Sequence, residues 1–249
     1  MRRLAACVIA VLLPALSAAG CGSSGASERT TLTVLAAASL TDVSADLAGA
    51  YEREHPDVRL RFSLAGSQEL ASQVRQGAPA DALVTADEPT MRGLGRRVRA
   101  AAVVATNRLT IVVGARNPEA VRSLTDLGRP DLVVVLAAPD VPAGRYARDV
   151  LDRAGVEVSA RSEEPDVRAV LTRVRLGEAD AGIVYTTDAA SAGGDVETVT
   201  IADEDNVAAR YPAAVVRTTE HPAEAAAFVE WLTSPTAARI FTAAGFGSP

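Results

Sequence analysis

The sequence predicts an α/β fold, in which a mainly parallel sheet is flanked by helices. Short apolar runs that suit buried parallel strands alternate along the chain with stretches that carry apolar residues at helical spacing. Hydrophobic residues make up 48% of the 249 residues and charged residues 22%, so the chain can bury a sizeable core. This length fits one large domain or two of ordinary size.

The first part of the chain repeats a strand followed by a helix. The first predicted helix carries Leu40, Val43 and Leu47 on one face and stops at Pro56. Asp87 ends the third predicted strand and is placed to cap the helix after it. Strands are predicted at residues 32–38, 58–66 and 81–87, and helices at residues 39–56 and 67–79.

The rest of the chain follows the same pattern and ends in two helices. Strands are predicted at residues 107–114, 132–137, 181–185, 195–201 and 211–217, and helices at residues 123–128, 142–155, 166–180, 221–232 and 234–246. We interpret the whole as two α/β lobes. Residues 31–108 plus 213–249 form the N-terminal lobe and residues 109–212 the second, with the chain crossing in the strands at 107–114 and 211–217.

The N-terminus has the pattern of a lipoprotein signal peptide. Arg2 and Arg3 precede an apolar stretch that is too short for a bilayer span, which needs about 20 residues. Cys21 follows small residues as in a bacterial lipobox, although an ordinary cleavage site is the alternative. We predict a signal peptide at 1–20, acylation of Cys21 and a flexible tether at 21–30. The protein would be secreted and held by lipid on the outer face of the cytoplasmic membrane.

The charge balance excludes some classes of partner. The net charge of the whole chain is −6, and every basic residue is arginine. Removal of residues 1–20 removes two arginines and leaves about −8, which argues against nucleic acid. A bound anion would gain nothing from long-range attraction, so an anion site would depend on local hydrogen-bond donors. Cys21 would be the one cysteine left, which excludes an intrachain disulfide.

Two serines occupy equivalent places in the predicted fold. Ser39 and Ser67 each follow a strand and open a helix, and Ser39 fits a capping box with Asp42. Gly66, before Ser67, allows another backbone to approach closely. A structural helix cap is the simpler interpretation of either serine. However, ligands of open α/β sheets collect at the carboxyl ends of strands, and helix N-termini bind anions there. The pair therefore suggests a small anionic ligand.

Five collinear motifs make the interpretation specific. The segments AAASLTD, GAPADALVTAD, VPAGRYA, EEPDVRAVL and GIVYTTDA resemble the molybdate-binding proteins of bacterial ABC importers, and the similarity runs from about residue 31 to the C-terminus. The resemblance implies the two-lobe periplasmic binding protein fold (type II), with a hinge of two crossover segments. It also implies a monomeric binding protein that captures molybdate or tungstate between the lobes and delivers it to an ABC permease.

The resemblance also implies which residues bind the oxyanion. Ser39 and Ser67 would each give a hydroxyl and a backbone N–H, Ala143 and Val167 backbone N–H groups, and Tyr185 its phenol. Molybdate is a dianion with four acceptor oxygens, so a set of uncharged donors suits it. None of the five is a carboxylate that could accept a proton from hydrogen phosphate, whereas sulfate stays an alternative ligand. No cofactor and no direct protein–metal bond are expected, because the molybdenum is held through its oxygens.

Other functions remain open at this point. The two histidines each precede a proline at a helix boundary, and no nucleophile motif accompanies them, so we predict that the protein is not an enzyme. A receptor for a small carboxylate would place an arginine in the cleft, and Arg145 and Arg168 are the candidates. A surface lipoprotein with a protein partner would expose an apolar patch. Asp81 and Asp87 are expected to cap or brace the fold rather than to contact ligand.

Overall fold

The computed structural model describes residues 29–249. The predicted signal peptide, the predicted acylation site Cys21 and most of the predicted tether lie outside the described residues. Within the described part of the chain, no helix combines the length and the apolar character that a membrane crossing requires.

Nine strands lie in the described residues, and the central ones are buried on both faces. Every residue of the fifth and seventh strands is buried, as their unbroken apolar runs predicted. The strands are β1 (Thr30–Ala37), β2 (Val58–Ala65), β3 (Ala82–Val84), β4 (Ala102–Gly114), β5 (Val134–Ala137), β6 (Ser162–Glu164), β7 (Ala181–Tyr185), β8 (Val196–Thr200) and β9 (Ala208–Val215).

Eight α-helices flank the sheet in the same part of the chain. Proline stands in the first turn of the fourth, seventh and eighth helices, where its missing N–H costs nothing. The segment predicted as a short helix at 123–128 is a 3₁₀ helix, Leu124–Gly128. A capping box formed by Ser123 and Asp126 stands at its N-terminus. The helices are α1 (Thr41–Glu54), α2 (Ser67–Arg75), α3 (Glu88–Arg92), α4 (Pro142–Arg153), α5 (Val167–Arg175), α6 (Thr186–Ser191), α7 (Pro222–Trp231) and α8 (Pro235–Ala243).

The strands form one mixed sheet in the order β2-β1-β3-β9-β4-β7-β5-β6, with β8 also paired to β4. Two parallel sets lie at its ends. The first set is β2-β1-β3 and the second set is β6-β5-β7. Strands β9 and β4 join the two sets: β9 pairs antiparallel with β3 and with β4, and β4 pairs antiparallel with β7. This arrangement, with its flanking helices, confirms the predicted α/β fold class.

Strand β4 passes from one part of the sheet to the other. Its residues from Ala102 to Arg108 pair with β9, whereas Leu109 to Val113 pair with β7. The change of partner between Arg108 and Leu109 coincides with the predicted boundary between the lobes. The division of the chain into those lobes itself stays a prediction.

Helix α7 packs on α1 through aromatic side chains. Phe228 is fully buried, and the ring of Tyr51 on α1 meets those of Phe228 and Trp231 edge-on, with centroids 5.1 Å and 5.3 Å apart. The indole N–H of Trp231 donates to a carboxylate oxygen of Glu54 at 2.8 Å. Full burial of such a side chain contributes about 1.5–3 kcal/mol. Aromatic contacts and one hydrogen bond therefore hold α7 against α1.

Candidate functional site

A small cavity lies at the carboxyl ends of both parallel sets. All five positions predicted to bind ligand line this one cavity, because each follows or ends one of the strands β1, β2, β5, β6 and β7. Their role as ligands stays a prediction. The lining residues are Ala37, Ala38, Ser39, Gly66, Ser67, Ala86, Val141, Pro142, Ala143, Asp166, Val167 and Tyr185.

Ser39 lies in a 3₁₀ turn, Ala38–Leu40, between β1 and α1. The capping box predicted for it is wrong, because this turn makes Leu40 the N-cap of α1 and directs the Ser39 side chain inward. The Ser39 hydroxyl instead lies 2.8 Å from the phenol oxygen of Tyr211. Asp42, its predicted partner in the box, accepts a hydrogen bond from Arg168. Ser39 is thus a buried cavity residue rather than a helix cap.

Ser67 is the first residue of α2 and is 2% exposed. Its Oγ accepts a hydrogen bond from the backbone N–H of Ala86 at 3.0 Å, which leaves its own hydrogen free. Gly66 permits a close approach, since a Cβ there would lie 2.7 Å from the carbonyl oxygen of Pro165. That carbonyl also accepts a hydrogen bond from Gln68 at 2.8 Å. The N-terminus of α2 therefore touches the segment that precedes α5.

Ala143 and Val167 stand in the first turns of α4 and α5 and are buried. N–H groups in the first turn of a helix have no acceptor within that helix, so both can donate into the cavity. Gly144 allows α4 to begin this close to β5, because a Cβ would overlap the carbonyl oxygen of Ala138. The N-cap of α5 is Asp166, whose Oδ1 accepts from the N–H groups of the next turn.

Tyr185 ends β7 and is 1% exposed. Its phenol oxygen is buried and has no hydrogen-bond partner among residues 29–249. Burial raises the pKa of the Tyr185 phenol well above its ordinary value, so the group remains a protonated donor at neutral pH. A buried donor without a partner costs about 1–3 kcal/mol, and Tyr185 is a lining residue of the cavity, where a ligand could supply the missing acceptor. The phenol is thus available to a bound acceptor.

The electrostatics of the cavity favour a small anion. The helices α2, α4 and α5 all begin at its wall, and each contributes partial positive charge from its N-terminal N–H groups. The lining residues include no arginine, and Asp166 is the one carboxylate among them. The described chain also has no cluster of histidine, cysteine, aspartate or glutamate that could hold a metal ion. The cavity can therefore attract an anion through N–H and O–H donors alone.

The two arginines beside the site bind protein carboxylates. Arg145 Nε donates to Oδ2 of Asp87 at 3.0 Å, and its Nη2 forms an ion pair with the same carboxylate. Arg168 Nη1 lies 2.7 Å from Oδ2 of Asp42 and 3.3 Å from Oδ1 of Asp188. Neither arginine lines the cavity. The expectation that a carboxylate receptor would place an arginine in the cleft is therefore not met.

The predictions for Asp81 and Asp87 are confirmed. Asp81 accepts a hydrogen bond from the backbone N–H of Thr33 at 2.6 Å and so ties β3 to β1. Asp87 caps α3 by accepting from the N–H of Thr90 at 3.1 Å. Both carboxylates are buried, yet neither lines the cavity. They brace the strands that carry the site.

Sequence reasoning missed a buried polar layer behind the cavity. Tyr211 on β9 and Asn107 on β4 lie within hydrogen-bond distance of each other, at 3.5 Å, and Tyr211 also contacts Ser39. Asp188 on α6 is fully buried, and desolvation raises its pKa to about 7 even though Arg168 opposes the shift. These residues stand in predicted strands or after one, and no local pattern distinguished them. A tyrosine or asparagine inside an apolar strand is the one available signal.

The chain is similar to a known protein family and to several bacterial proteins. A family model of bacterial extracellular solute-binding proteins matches residues 32–247. The molybdate-binding protein ModA of Mycobacterium tuberculosis is 37% identical over 97% of this chain and 96% of its own length. ModA of Escherichia coli is 34% identical over 93% of this chain and 94% of its own length. A putative ABC transporter substrate-binding lipoprotein of Bacillus subtilis, YvgL, is 31% identical, over 96% of each chain.

Solved structures give the same picture of the fold. The substrate-binding domain of a putative molybdenum ABC transporter from Clostridium difficile superposes with a TM-score of 0.67 at 25% identity, over 88% of this chain and 99% of that one. The periplasmic molybdate-binding protein of Azotobacter vinelandii superposes with a TM-score of 0.74 at 20% identity, over 88% of this chain and 99% of that one. The sulfate-binding protein SubI of Mycobacterium tuberculosis gives 0.79 at 22% identity, over 88% and 86%. The last two are evidence for a shared fold alone.

Proposed function

Because the chain belongs to the family of bacterial extracellular solute-binding proteins, we propose that it captures molybdate outside the cytoplasm and delivers it to an ABC permease. The observation that carries the proposal is the gathering of five donor positions around one cavity: Ser39, Ser67, Ala143, Val167 and Tyr185. The names of relatives at 34–37% identity supply the ligand. Tungstate, of nearly the same size and charge, would bind in the same way.

The donor set is strong enough for useful affinity. A hydrogen bond to a charged group contributes about 1.5–3 kcal/mol net. Each helix N-terminus adds about 0.3–1 kcal/mol, and three of them meet at the cavity. After the costs of association, these contributions can provide the roughly −8 kcal/mol of a complex with a dissociation constant of about 1 μM. No arginine is required for this result.

Sulfate is the alternative ligand. It offers the same tetrahedral set of acceptor oxygens, and a sulfate-binding protein shares the fold. The relatives above 30% identity that carry a ligand in their names are molybdate-binding proteins, which favours the larger oxyanion. The discrimination would come from oxygen spacing rather than from the chemistry of the donors.

We further propose that the ligand is enclosed by closure of two lobes. Residues 31–108 with 213–249 would form one lobe and residues 109–212 the other, with the hinge in β4 and β9. Donors from both lobes can then meet the ligand together only in the closed state, so binding drives closure. Ion pairs between Arg145 and Asp87 and between Arg168 and Asp42 cross the proposed boundary and would support that state.

The remaining parts of the proposal concern the chain as a whole. We propose that it is a monomer, that it catalyses no reaction, and that an acylated Cys21 holds it at the membrane. A lipoprotein among the relatives, at 31% identity, supports the anchor. Mass spectrometry of membrane-extracted protein would test it: a diacylglycerol adduct on Cys21 is the expected result, and an unmodified cysteine would contradict it.

Calorimetric titration tests the function. The purified protein is titrated with molybdate, tungstate, sulfate and phosphate, alongside Ser39→Ala and, as a control, Arg92→Gln on the exposed face of α3. We expect tight binding of molybdate and tungstate, a clear loss in Ser39→Ala and none in the control. Equal affinity for sulfate would contradict the ligand. No heat with any of the four oxyanions would contradict the function.

A further inference from the structure

In the polar layer behind the cavity, the hydrogen bonds of Asn107 fix the orientation of its amide. Its Oδ1 accepts from the backbone N–H of Arg108 at 2.9 Å. A backbone N–H can only donate, so the atom facing it must be the amide oxygen. The hydroxyl of Thr186 donates to the same oxygen at 3.0 Å. The amide nitrogen of Asn107 therefore faces the other way.

That nitrogen can only donate, and it faces two hydroxyl oxygens. It lies 2.8 Å from Oγ1 of Thr187 and 3.5 Å from the phenol oxygen of Tyr211. Tyr211 thus receives a hydrogen on its oxygen and must direct its own hydrogen elsewhere. Its remaining partner is the Oγ of Ser39, at 2.8 Å. Burial raises the pKa of the Tyr211 phenol, which keeps that hydrogen in place at neutral pH.

We propose that Tyr211, oriented by Asn107, is a positioning residue that sets ligand specificity by donating its hydroxyl hydrogen to Ser39 Oγ. Ser39 then offers only its own hydrogen to the cavity. Ser67 also offers only its hydrogen to the cavity, because its Oγ accepts from the backbone N–H of Ala86. Both serines are thereby fixed as donors before a ligand arrives.

This inference rests on the proposed oxyanion function and names what the site rejects. An oxyanion without a proton presents acceptors on every side and satisfies both serines. Hydrogen phosphate carries the same double charge as molybdate, but a proton on any oxygen that faces Ser39 or Ser67 would meet a hydroxyl hydrogen. Asp166, the one carboxylate of the lining, already accepts the N–H groups of Arg168 and Ala169 through its Oδ1. A buried donor facing a donor loses its hydrogen bond and keeps its desolvation cost. The hydrogen-bond relay from Asn107 through Tyr211 to Ser39 therefore discriminates between dianions of equal charge by whether they carry a proton.

Tyr211→Phe removes the relay and keeps the ring, which packs edge-on against Tyr185 and Phe246. Calorimetry with molybdate, and competition by hydrogen phosphate in slightly alkaline buffer, measure both affinities. We expect the molybdate affinity to fall about 2- to 12-fold, the range for one neutral hydrogen bond. Phosphate affinity should hold or rise, because the freed Ser39 hydroxyl can turn and accept. A merely structural role would lower both affinities equally and leave their ratio unchanged.

Asn107→Asp is a second test that needs molybdate alone. A carboxylate in place of the amide accepts from Tyr211, so Tyr211 would accept from Ser39 and turn the Ser39 lone pair toward the ligand. We expect more than a tenfold loss of molybdate affinity. The new charge also repels the anion directly, and a double-mutant cycle separates the two effects. The loss should be smaller in a Tyr211→Phe background, where no relay remains.

The outcomes distinguish this inference from the proposed function. Circular dichroism first establishes that each variant is folded. If the unaltered protein does not bind molybdate, the proposed function fails and the inference with it. If the unaltered protein binds, an unchanged ratio in Tyr211→Phe or equal losses from Asn107→Asp in both backgrounds would overturn the inference alone. A changed ratio together with unequal losses would support it.

Discussion

Tyr185→Phe should change affinity and stability in opposite directions. The substitution removes one oxygen and keeps the ring, which is almost fully buried at the end of β7. In the described chain that oxygen has no hydrogen-bond partner, and Tyr185 is one of the residues that line the cavity. Its loss therefore takes a donor from a bound oxyanion but breaks no contact within the protein.

The sizes of the two effects follow from the ligand-bound protein, which sets the affinity, and from the ligand-free protein, which sets the unfolding free energy. A donor to a charged ligand contributes about 1.5–3 kcal/mol, so the dissociation constant should rise about 10- to 150-fold. A buried hydroxyl without a partner costs about 1–3 kcal/mol, so the ligand-free variant should lose no unfolding free energy and can gain up to that amount. The gain is smaller if the ligand-free protein opens and the hydroxyl reaches water.

Tyr51→Phe is the matched control for this experiment. The phenol oxygen of Tyr51 is likewise buried and without a partner in the described residues, but it lies on α1 away from the cavity. Calorimetry gives the molybdate affinity of both variants, and urea denaturation gives their unfolding free energy. We expect equal or higher stability in both and a loss of affinity in Tyr185→Phe alone.

Two results would refute this reasoning. Unchanged molybdate affinity in Tyr185→Phe would mean that the phenol does not donate to the ligand. A loss of unfolding free energy well beyond that of Tyr51→Phe would mean that the oxygen has a partner within the protein, such as a buried water, and is not held for a ligand.

Three further predictions concern closure and pH. Arg145→Gln should weaken molybdate binding about 5- to 150-fold in calorimetry, because the proposed closed state would lose a partly buried ion pair and a coupling of about 1–3 kcal/mol corresponds to that range; unchanged affinity would contradict this. Gly66→Ala should also weaken binding, because its Cβ would meet a facing carbonyl oxygen at 2.7 Å, whereas Gly194→Ala has open space and should bind normally; equal affinities would show that this approach is not part of the bound state. Asp188, whose pKa burial raises to about 7, keeps its proton in the folded state while the unfolded chain releases it, so unfolding free energy should fall by up to about 4 kcal/mol as pH rises from about 4 to about 7. Urea denaturation across that range should show a flatter loss in Asp188→Asn, and an identical pH profile would rule out the assignment.

Much of the fold could be predicted because its signals are local. Buried parallel strands need unbroken apolar runs and their helices need apolar faces, so both can be recognised within about ten residues. Two elements were not predicted. Strand β6, Ser162–Glu164, is polar and becomes a strand only by pairing with β5. Helix α6, Thr186–Ser191, follows Tyr185 directly, without the turn residues that usually announce a new element.

The positions around the cavity were predictable for a related reason. Parallel strands bring their carboxyl ends to one edge of a sheet, so residues that follow such strands become neighbours wherever they stand in the sequence. Ser39 and Ser67 could be placed in this way from the pattern of elements. Ala143 and Val167 act through the backbone, and only the resemblance to a known family indicated them. Their function as ligands awaits measurement.

The sequence by itself determined the order of most strands and helices, β6 and α6 excepted, and which segments reach the site. Only the tertiary structure decided what each side chain does there. The local pattern at Ser39 also fitted a helix cap, yet its hydroxyl meets Tyr211, 172 positions along the chain. Arg145 was a candidate for ligand and instead pairs with Asp87, 58 positions away. Hydrogen bonds of this range depend on how distant segments pack, and local propensity carries no information about them.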